Sequence, residues 1–423
     1  MSSRDSLPGL ASTSDVLIVG GGAEGIATAY YLASEGIDVT VVERDRIGQG
    51  CSWGNAGLIA VSQSKPLASL DALGEGMRWI LKSGGPVVIR PRLDGRFLVW
   101  MARFVAECLH DRGRPTHALH ELNAFSADLH RQLATQLKSD YGYRQAGWLH
   151  VFKSHQALER SIERANDLGE VGVLSVVLDS KGAKRLEPTL SDHVIGGIHF
   201  PDDSQLQPYS FVEALATRAQ ELGAHIVTGT NVEGFKFGAR RITSAITSAG
   251  EIKCKWLVLA AGAWTQPLSA KLNLRVPIEP AKGYSVTFSS DRRVSLPIML
   301  AEPHIVITSQ GGKSRVTSGL ELVGFNASIN DKRLSSMLAT PRDYLVGFDA
   351  TPGTEWAGFR PLTPDDLPII GRFARWDNVM IASGHGTLGI TLAPATGRVI
   401  ADLILGSPER IHMSPFLPSR FGV

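Results

Sequence analysis

The chain has 423 residues, 43% hydrophobic and 20% charged, which is enough for two domains with sizeable cores and too apolar for a disordered protein. Lys plus Arg number 43 against 41 for Asp plus Glu, a formal net charge of +2, so no overall field recruits nucleic acid or an acidic membrane surface and a small-molecule partner is expected. Cys51, Cys108 and Cys254 are scattered, without CxxC or histidine spacing, which argues against a disulfide framework or a metal site.

The opening MSSRDSLPGLASTS carries turn formers and no apolar h-region, so it reads as a short lead and not as a secretion signal. No apolar run reaches the roughly 18 residues that call for a membrane span. A cytoplasmic location is expected, with peripheral contact to the inner membrane left open.

Asp15 to Val19 is an apolar run ending in glycines, ATAYYLASEG reads as a helix stopping at Gly36, and DVTVVE is a second apolar run. Strand, glycine turn, helix and strand make the βαβ unit of a parallel sheet. Gly20, Gly22 and Gly25 supply G-x-G-x-x-G at the turn. The first glycine permits the sharp turn, the second admits a pyrophosphate close to the backbone, and the third lets helix and strand pack closely. Glu43 follows 18 residues after Gly25, at the end of the second strand, where an acid accepts hydrogen bonds from the adenosine ribose. The alternative is a glycine-rich turn in a sheet that binds nothing, but strand, helix and acid together favour a dinucleotide.

Further glycine-rich stretches suit a long, buried cofactor: CSWGNAG (51–57), LAAGAW (259–264) and GHGTLG (384–389). The last precedes TLAPATGRVIADLIL, a helix in which Pro394 is expected near the first turn. The positive end of such a helix would stabilise the negative charge of a reduced flavin. The pattern favours FAD over NAD.

From Arg96 the periodicity becomes helical. Phe97, Trp100, Met101, Phe104, Val105 and Cys108 form one stripe, and Leu122, Phe125, Leu129, Leu133 and Leu137 form the next. Both predict core-facing helices, joined by residues 110–117. GWLHVF (147–152), KGYSVTF (282–288), HIVIT (304–308) and SRVTSGLEL (314–322) predict a mainly antiparallel sheet, while 213–227 and 255–264 return to helix and strand of the first unit. The expected fold is α/β: a Rossmann-like FAD-binding domain assembled from residues 12–90, 201–265 and 356–418. An inserted α+β substrate domain, 91–200 and 266–355, is built on the antiparallel sheet.

GFRPLTPDDLPIIG (358–371) places Arg360 among apolar neighbours. A guanidinium there is costly unless an anion meets it, because it cannot be neutralised by deprotonation. From this stretch alone the anion is either Asp365 or Asp366, in a structural ion pair, or a ligand.

Across VGGGAEGIATAYYLASEGIDVTVVER, SWGNAG, IRPRLDGRFLVWMARF, KGYSVT, GFRPLTPDDLPIIG and GHGTLG, the chain resembles the FAD-dependent amine and amino-acid oxidoreductases of the D-amino-acid oxidase superfamily, in particular the bacterial D-amino-acid dehydrogenases. It is similar to glycine oxidases through GFRP and ITLAPATG. The resemblance implies oxidation of an amino acid by hydride transfer from Cα to flavin N5, giving an imino acid; D-proline or a hydroxylated D-proline is a candidate substrate. It implies an electron acceptor, either a quinone, an electron-transfer protein or oxygen. A glycine- or sarcosine-type oxidase and a flavin-bearing electron-relay subunit of a larger complex are the alternatives.

By the same resemblance Arg360 binds the substrate carboxylate, and His304 stands where relatives carry a carboxylate-binding tyrosine. Tyr284 could point into the cavity or be a cross-strand aromatic. FAD contacts are expected from Gly20, Gly22, Gly25, Glu43, Arg44, Ser52, Asn55, Ala56, Gly57, Val232, Ala261, Gly262, Gly384, His385, Gly386, Thr387, Leu388 and Gly389. Covalent-flavin relatives carry a cysteine just before their TPD segment. Here that neighbourhood reads Gly358, Phe359, Arg360, so the flavin is expected to be noncovalent.

Overall fold

The computed structural model describes residues 12–68, 87–90, 92–109, 113–351 and 353–423. The connection expected at 110–117 falls partly outside them.

Thr13–Val19 lies at the centre of an eight-stranded sheet, parallel to Val39–Val42 on one side and to Gly250–Leu259 on the other. Its apolar run is buried on both faces, as a central parallel strand requires. His225–Val227 extends the sheet beyond Val39–Val42. Gly250–Leu259 serves two neighbours along its length: residues 250–253 pair antiparallel with Ile242–Thr247, and 257–259 pair parallel with Val379–Ser383. One sheet is thus gathered from stretches far apart in the chain.

The helix Ala23–Ser34 follows the glycine turn and ends before Gly36, whose φ is +75°. It packs against the terminal helix Gly389–Leu405, and Gly397 sets how closely: a Cβ there would stand 2.5 Å from the Ala27 carbonyl carbon.

Pro394 is the sixth residue of the terminal helix, beyond the first turn in which it was expected. There a proline removes an N–H and leaves a carbonyl without its usual partner. The long helix Gly113–Gln136 repairs the break. His130 Nε2 lies 3.0 Å from the Ile390 carbonyl, and Ser126 Oγ donates to the Thr391 carbonyl at 2.6 Å while accepting from the Ala395 N–H at 3.2 Å. Burial pushes the His130 pKa down to about 4, so the ring donates as a neutral group.

A second, nine-stranded sheet is mainly antiparallel. Its central strands are Glu279–Ser289, Lys313–Leu322 and Ile305–Gln310, with Trp148–Phe152 reached through Ile298–Leu300. Val87–Ile89 and Thr354–Leu362 pair within this sheet, although the boundaries expected from sequence assign most of both to the first unit. Helix Gly95–Leu109 buries Phe97, Trp100 and Cys108 but exposes Leu98, Val99, Val105 and Leu109. Met101 and Phe104 pack against the cluster of Phe97 and Trp100, so the expected stripe faces the core except at Val105.

Asp203 ties the segment after Ala60 to the second sheet. Its carboxyl accepts from the Ser62 N–H at 3.0 Å and the Ser62 hydroxyl at 2.5 Å, and its carbonyl accepts from the Gly147 N–H at 2.9 Å. Burial pushes its pKa up from 3.8 to about 7, outweighing those hydrogen bonds. A raised carboxyl means that the folded chain keeps a proton the unfolded chain gives up. The stabilisation is therefore full below about pH 4, is lost as pH rises to about 7, and stays lost above. On this basis the wild type should lose on the order of 2 to 4 kcal/mol through Asp203 over that window. Asp203→Asn, which mimics the protonated form, should lose correspondingly less, as read from denaturant midpoints at pH 4 and 8. Equal pH slopes for the two proteins would remove the argument.

Candidate functional site

Arg360 stands on Thr354–Leu362 opposite Ala281. Its Nη1 donates to the Gly319 carbonyl at 2.6 Å. That carbonyl is offered by a bulge: the pairing of Glu279–Ser289 with Lys313–Leu322 shifts register between Lys282 and Tyr284, and Gly319 takes φ +87°. Gly283 leaves room for the side chain, since a Cβ there would stand 2.2 Å from Nη1. The structural ion pair is not formed. Asp365 pairs with Arg420 at 2.7 Å, and Asp366 accepts from the Leu67 N–H at 2.8 Å. Among the described residues no acid forms an ion pair with Arg360. Burial holds its pKa below the ordinary value, with the neighbouring Cys51 opposing that shift.

Arg360 lines a cavity of about 190 Å³. The second sheet contributes Trp148, Met299, Val306, Thr317 and Trp356 to its wall, and the start of the terminal helix contributes Thr387, Leu388 and Thr391. Cross-strand pairing explains this: Met299 faces Val306, and Val306 faces Thr317, so these side chains share one face of the pleat. Trp356 fits because Gly54 and Gly358 lie against it; a Cβ on either would stand about 2 Å from its ring.

Tyr284 is not brought to this cavity. Its strand alternates, so placing Gly283 beneath Arg360 turns Tyr284 to the opposite face, where it is 3% exposed among Val286 and Phe288. His304 precedes Ile305–Gln310 with φ +52°, and its carbonyl accepts from the Ser318 hydroxyl at 3.0 Å. It does not line the cavity. It stands near His150, whose pKa is pushed down to about 3, first by burial and then by His304. His150 in turn meets Trp148 edge to face, ring centres 4.4 Å apart.

The three motif glycines meet different surroundings. A Cβ on Gly20 would stand 2.4 Å from the Ala260 carbonyl, and one on Gly25 1.9 Å from the Gly20 carbonyl. On Gly22 it would meet nothing nearer than 3.7 Å. Gly20 and Gly25 are demanded by packing, while Gly22 borders open space. Gly22 caps Ala23–Ser34 and Leu388 caps the terminal helix, neither with a side-chain hydrogen bond, which leaves both helix N-termini suited to an anionic cofactor. These features fit a dinucleotide.

Around this cradle, Glu43 accepts from the Gly21 and Asp45 N–H groups at 2.7 and 2.9 Å. Ser52 Oγ accepts from the Ala23 N–H at 3.3 Å. Arg44 lies over the Trp264 ring, 4.0 Å from its centre. Val232 is buried beside Val19 and Val42. Ala261 and Gly262 follow directly on Ala260, beside Gly20, and Gly262 accepts from the Ser383 hydroxyl at 2.9 Å. Gly384 and Gly386 both take positive φ, and His385 between them is buried with Nε2 2.8 Å from Thr396 Oγ1. Gly389 opens the terminal helix.

Loop 51–57, holding Asn55, Ala56 and Gly57, is fastened from the other sheet. Arg315 Nη1 donates to the Trp53 and Asn55 carbonyls at 3.0 and 2.7 Å, and Gln310 Nε2 to the Ala56 carbonyl at 2.7 Å. Sequence reasoning missed both clasps, as well as Trp356 and the acid Glu24, and it singled out the stretch of Cys51 without giving that residue a role. Arg315 and Gln310 sit in a strand pattern with nothing local to mark them, and only Glu24, an acid within the glycine motif, carried a visible signal.

Known proteins resemble this chain over nearly its full length. The chain is 32% identical over 415 residues to a D-amino acid dehydrogenase of Bradyrhizobium diazoefficiens, covering 96% of this chain and 98% of that one. It is 34% identical over 408 residues to a D-amino acid dehydrogenase of Methylobacterium nodulans, covering 94% and 97%. Its fold matches the crystal structure of glycine oxidase from Bacillus cereus with a TM-score of 0.77 and 25% identity, over 95% of this chain and 99% of that one. Residues 15–403 match the DAO family, described as FAD dependent oxidoreductase. The family match over most of its length, together with these relatives, makes this chain a member of the DAO family of FAD-dependent oxidoreductases.

Proposed function

We propose that the enzyme oxidises a compact, apolar D-amino acid such as D-proline or hydroxy-D-proline, with FAD held noncovalently along Gly20–Gly25, Glu43, loop 51–57 and the 384–389 turn. The observation that carries this reading is a charged guanidinium lining a cavity without a carboxylate partner among the described residues. A substrate carboxylate completes it. In support, the D-amino acid dehydrogenases compared above match over nearly the full chain. In this reading the first sheet carries the cofactor and the second the substrate.

When bound, FAD supplies the two-electron acceptor for the hydride leaving Cα, and the resulting imino acid is hydrolysed by water. The chain's part is orientation. The Gly319 carbonyl fixes one edge of Arg360, leaving the remaining N–H groups to grip a carboxylate in one plane and so set the direction of Cα–H. Among the described residues the lining holds no other cation and no acid, which disfavours substrates with charged side chains. Cys51, the titratable neighbour of Arg360 in that lining, is pushed up to about 11 by burial and stays a thiol, and no described lining residue is a base. In this reading the ammonium proton is released to solvent. The electrons then pass to a quinone, an electron-transfer protein or oxygen. No described helix is long and apolar enough to cross a membrane.

An anaerobic screen against D- and L-amino acids, prolines, glycine and sarcosine, read as loss of flavin absorbance, tests the reading. Bleaching by small apolar D-amino acids is expected, and bleaching by glycine or sarcosine alone would replace it with the oxidase reading that the likeness to glycine oxidase favours. Acid precipitation should release the flavin into the supernatant as FAD. Flavin retained in the pellet would overturn noncovalent binding and point to Cys51, the cysteine lining the cavity.

A further inference from the structure

Glu24 is the second residue of the helix that opens at Gly22. Its Oε2 lies 3.7 Å from where a Cβ on Gly22 would stand, and its Oε1 lies 2.8 Å from the corresponding position on Gly389. The carboxyl thus stands between the starts of the two helices that flank the cofactor cradle, beside the open space that the motif reserves for pyrophosphate. His385 Nδ1 lies 3.5 Å away, fully buried and, among the described residues, otherwise without a hydrogen-bond partner. Cys51, from the third element packed here, feels the charge of Glu24. No lysine or arginine pairs with Glu24 among the described residues.

We propose that Glu24 is a proton-linked gate on FAD binding: it holds a proton when the cofactor is bound, sharing it with His385 Nδ1, and its ionisation expels the cofactor. The inference rests on FAD binding alone and not on which substrate is oxidised, so failure of the substrate screen leaves it standing.

The argument is electrostatic. Pyrophosphate is an anion that seeks the same helix N-termini a carboxylate would occupy. An ionised Glu24 would compete for those N–H groups and repel the phosphates, whereas a protonated one does neither and can donate its O–H to His385 Nδ1. Neither neighbour supplies a compensating positive charge. His385 is kept neutral, with its pKa pushed down to about 3 by burial, and Cys51 remains a thiol. Burial already pushes the Glu24 pKa up to about 7 in the protein without cofactor, and two nearby phosphate charges would push it further up. One proton is then taken up on binding above that pH.

The sign follows. FAD affinity should be flat below about pH 7 and fall above it, approaching about tenfold per pH unit for one linked proton. The test measures FAD dissociation from the purified holoprotein by the rise of flavin fluorescence on dilution, between pH 6 and 9. Glu24→Gln, neutral at every pH and of the same shape, should bind as tightly at pH 9 as at pH 6. A pH-independent wild type, or a Glu24→Gln protein with the wild-type slope, would overturn the proposal. A second measurement needs no variant: calorimetric titration of stripped wild-type protein with FAD at pH 8.5, in buffers of different ionisation enthalpy. Uptake of close to one proton is expected, and zero uptake would overturn it.

Discussion

Arg360→Lys should keep its FAD and lose most of its capture of carboxylate-bearing substrates. Lysine preserves the charge but not the planar fork. It also cannot both donate to the Gly319 carbonyl, 2.6 Å from Nη1 in the wild type, and present two parallel donors to a ligand. The expected loss in kcat/KM is on the order of 2 to 4 kcal/mol, because a buried guanidinium loses its bidentate pair beside the apolar wall of Trp148, Met299, Val306 and Trp356. Flavin absorbance of the purified variant should match the wild type, since Arg360 lies on the second sheet and the glycine cradle on the first. If Arg360 serves only to brace the bulge at Gly319, the same change would lower the melting temperature and leave kcat/KM nearly intact. The ratio of the two effects decides between ligand and brace.

How much of this was legible in the sequence follows from what is local. The glycine turn could be read because its requirements are local: a strand before it, a helix after it, and glycines where the backbone of Gly20 and Ala260 comes within reach. Arg360 was legible through its motif, and the alternative of an ion pair to Asp365 fell away only with the structure, which gives Asp365 to Arg420. Tyr284 illustrates a limit of strand reading. Alternation says that neighbours face opposite ways, but not which way is the cavity, and the bulge at Gly319 decides where Arg360 can be held. The edge strand Thr354–Leu362 looked like part of the first unit because GFRP leads directly into the TPD turn, whereas its pairing with Glu279–Ser289 is a contact across distant sequence. The repair of Pro394 by Ser126 and His130 was invisible for the same reason: nothing local marks those residues until the terminal helix is laid against them.

Gly22→Val and Gly25→Ala should separate cofactor binding from folding within one motif. At Gly22 φ is −76°, a value any residue adopts, and an added Cβ meets only Glu24 Oε2 at 3.7 Å and Ser52 Oγ at 3.9 Å. The valine variant should therefore fold, with a far-ultraviolet spectrum like that of the wild type, while its branched side chain fills the space through which backbone approaches pyrophosphate. FAD content after purification should fall to a small fraction of one per chain. At Gly25 a single methyl would stand 1.9 Å from the Gly20 carbonyl oxygen. Backbone cannot swing aside as a flexible side chain can, so Gly25→Ala must push the helix Ala23–Ser34 off the sheet and off the terminal helix packed at Gly397. That should cost on the order of 3 kcal/mol and surface as insoluble or early-melting protein, whatever its FAD content. A soluble Gly22→Val protein that purifies with full FAD would mean that the space above Gly22 is not the pyrophosphate seat, and the proton gate proposed at Glu24 would lose its geometric basis with it.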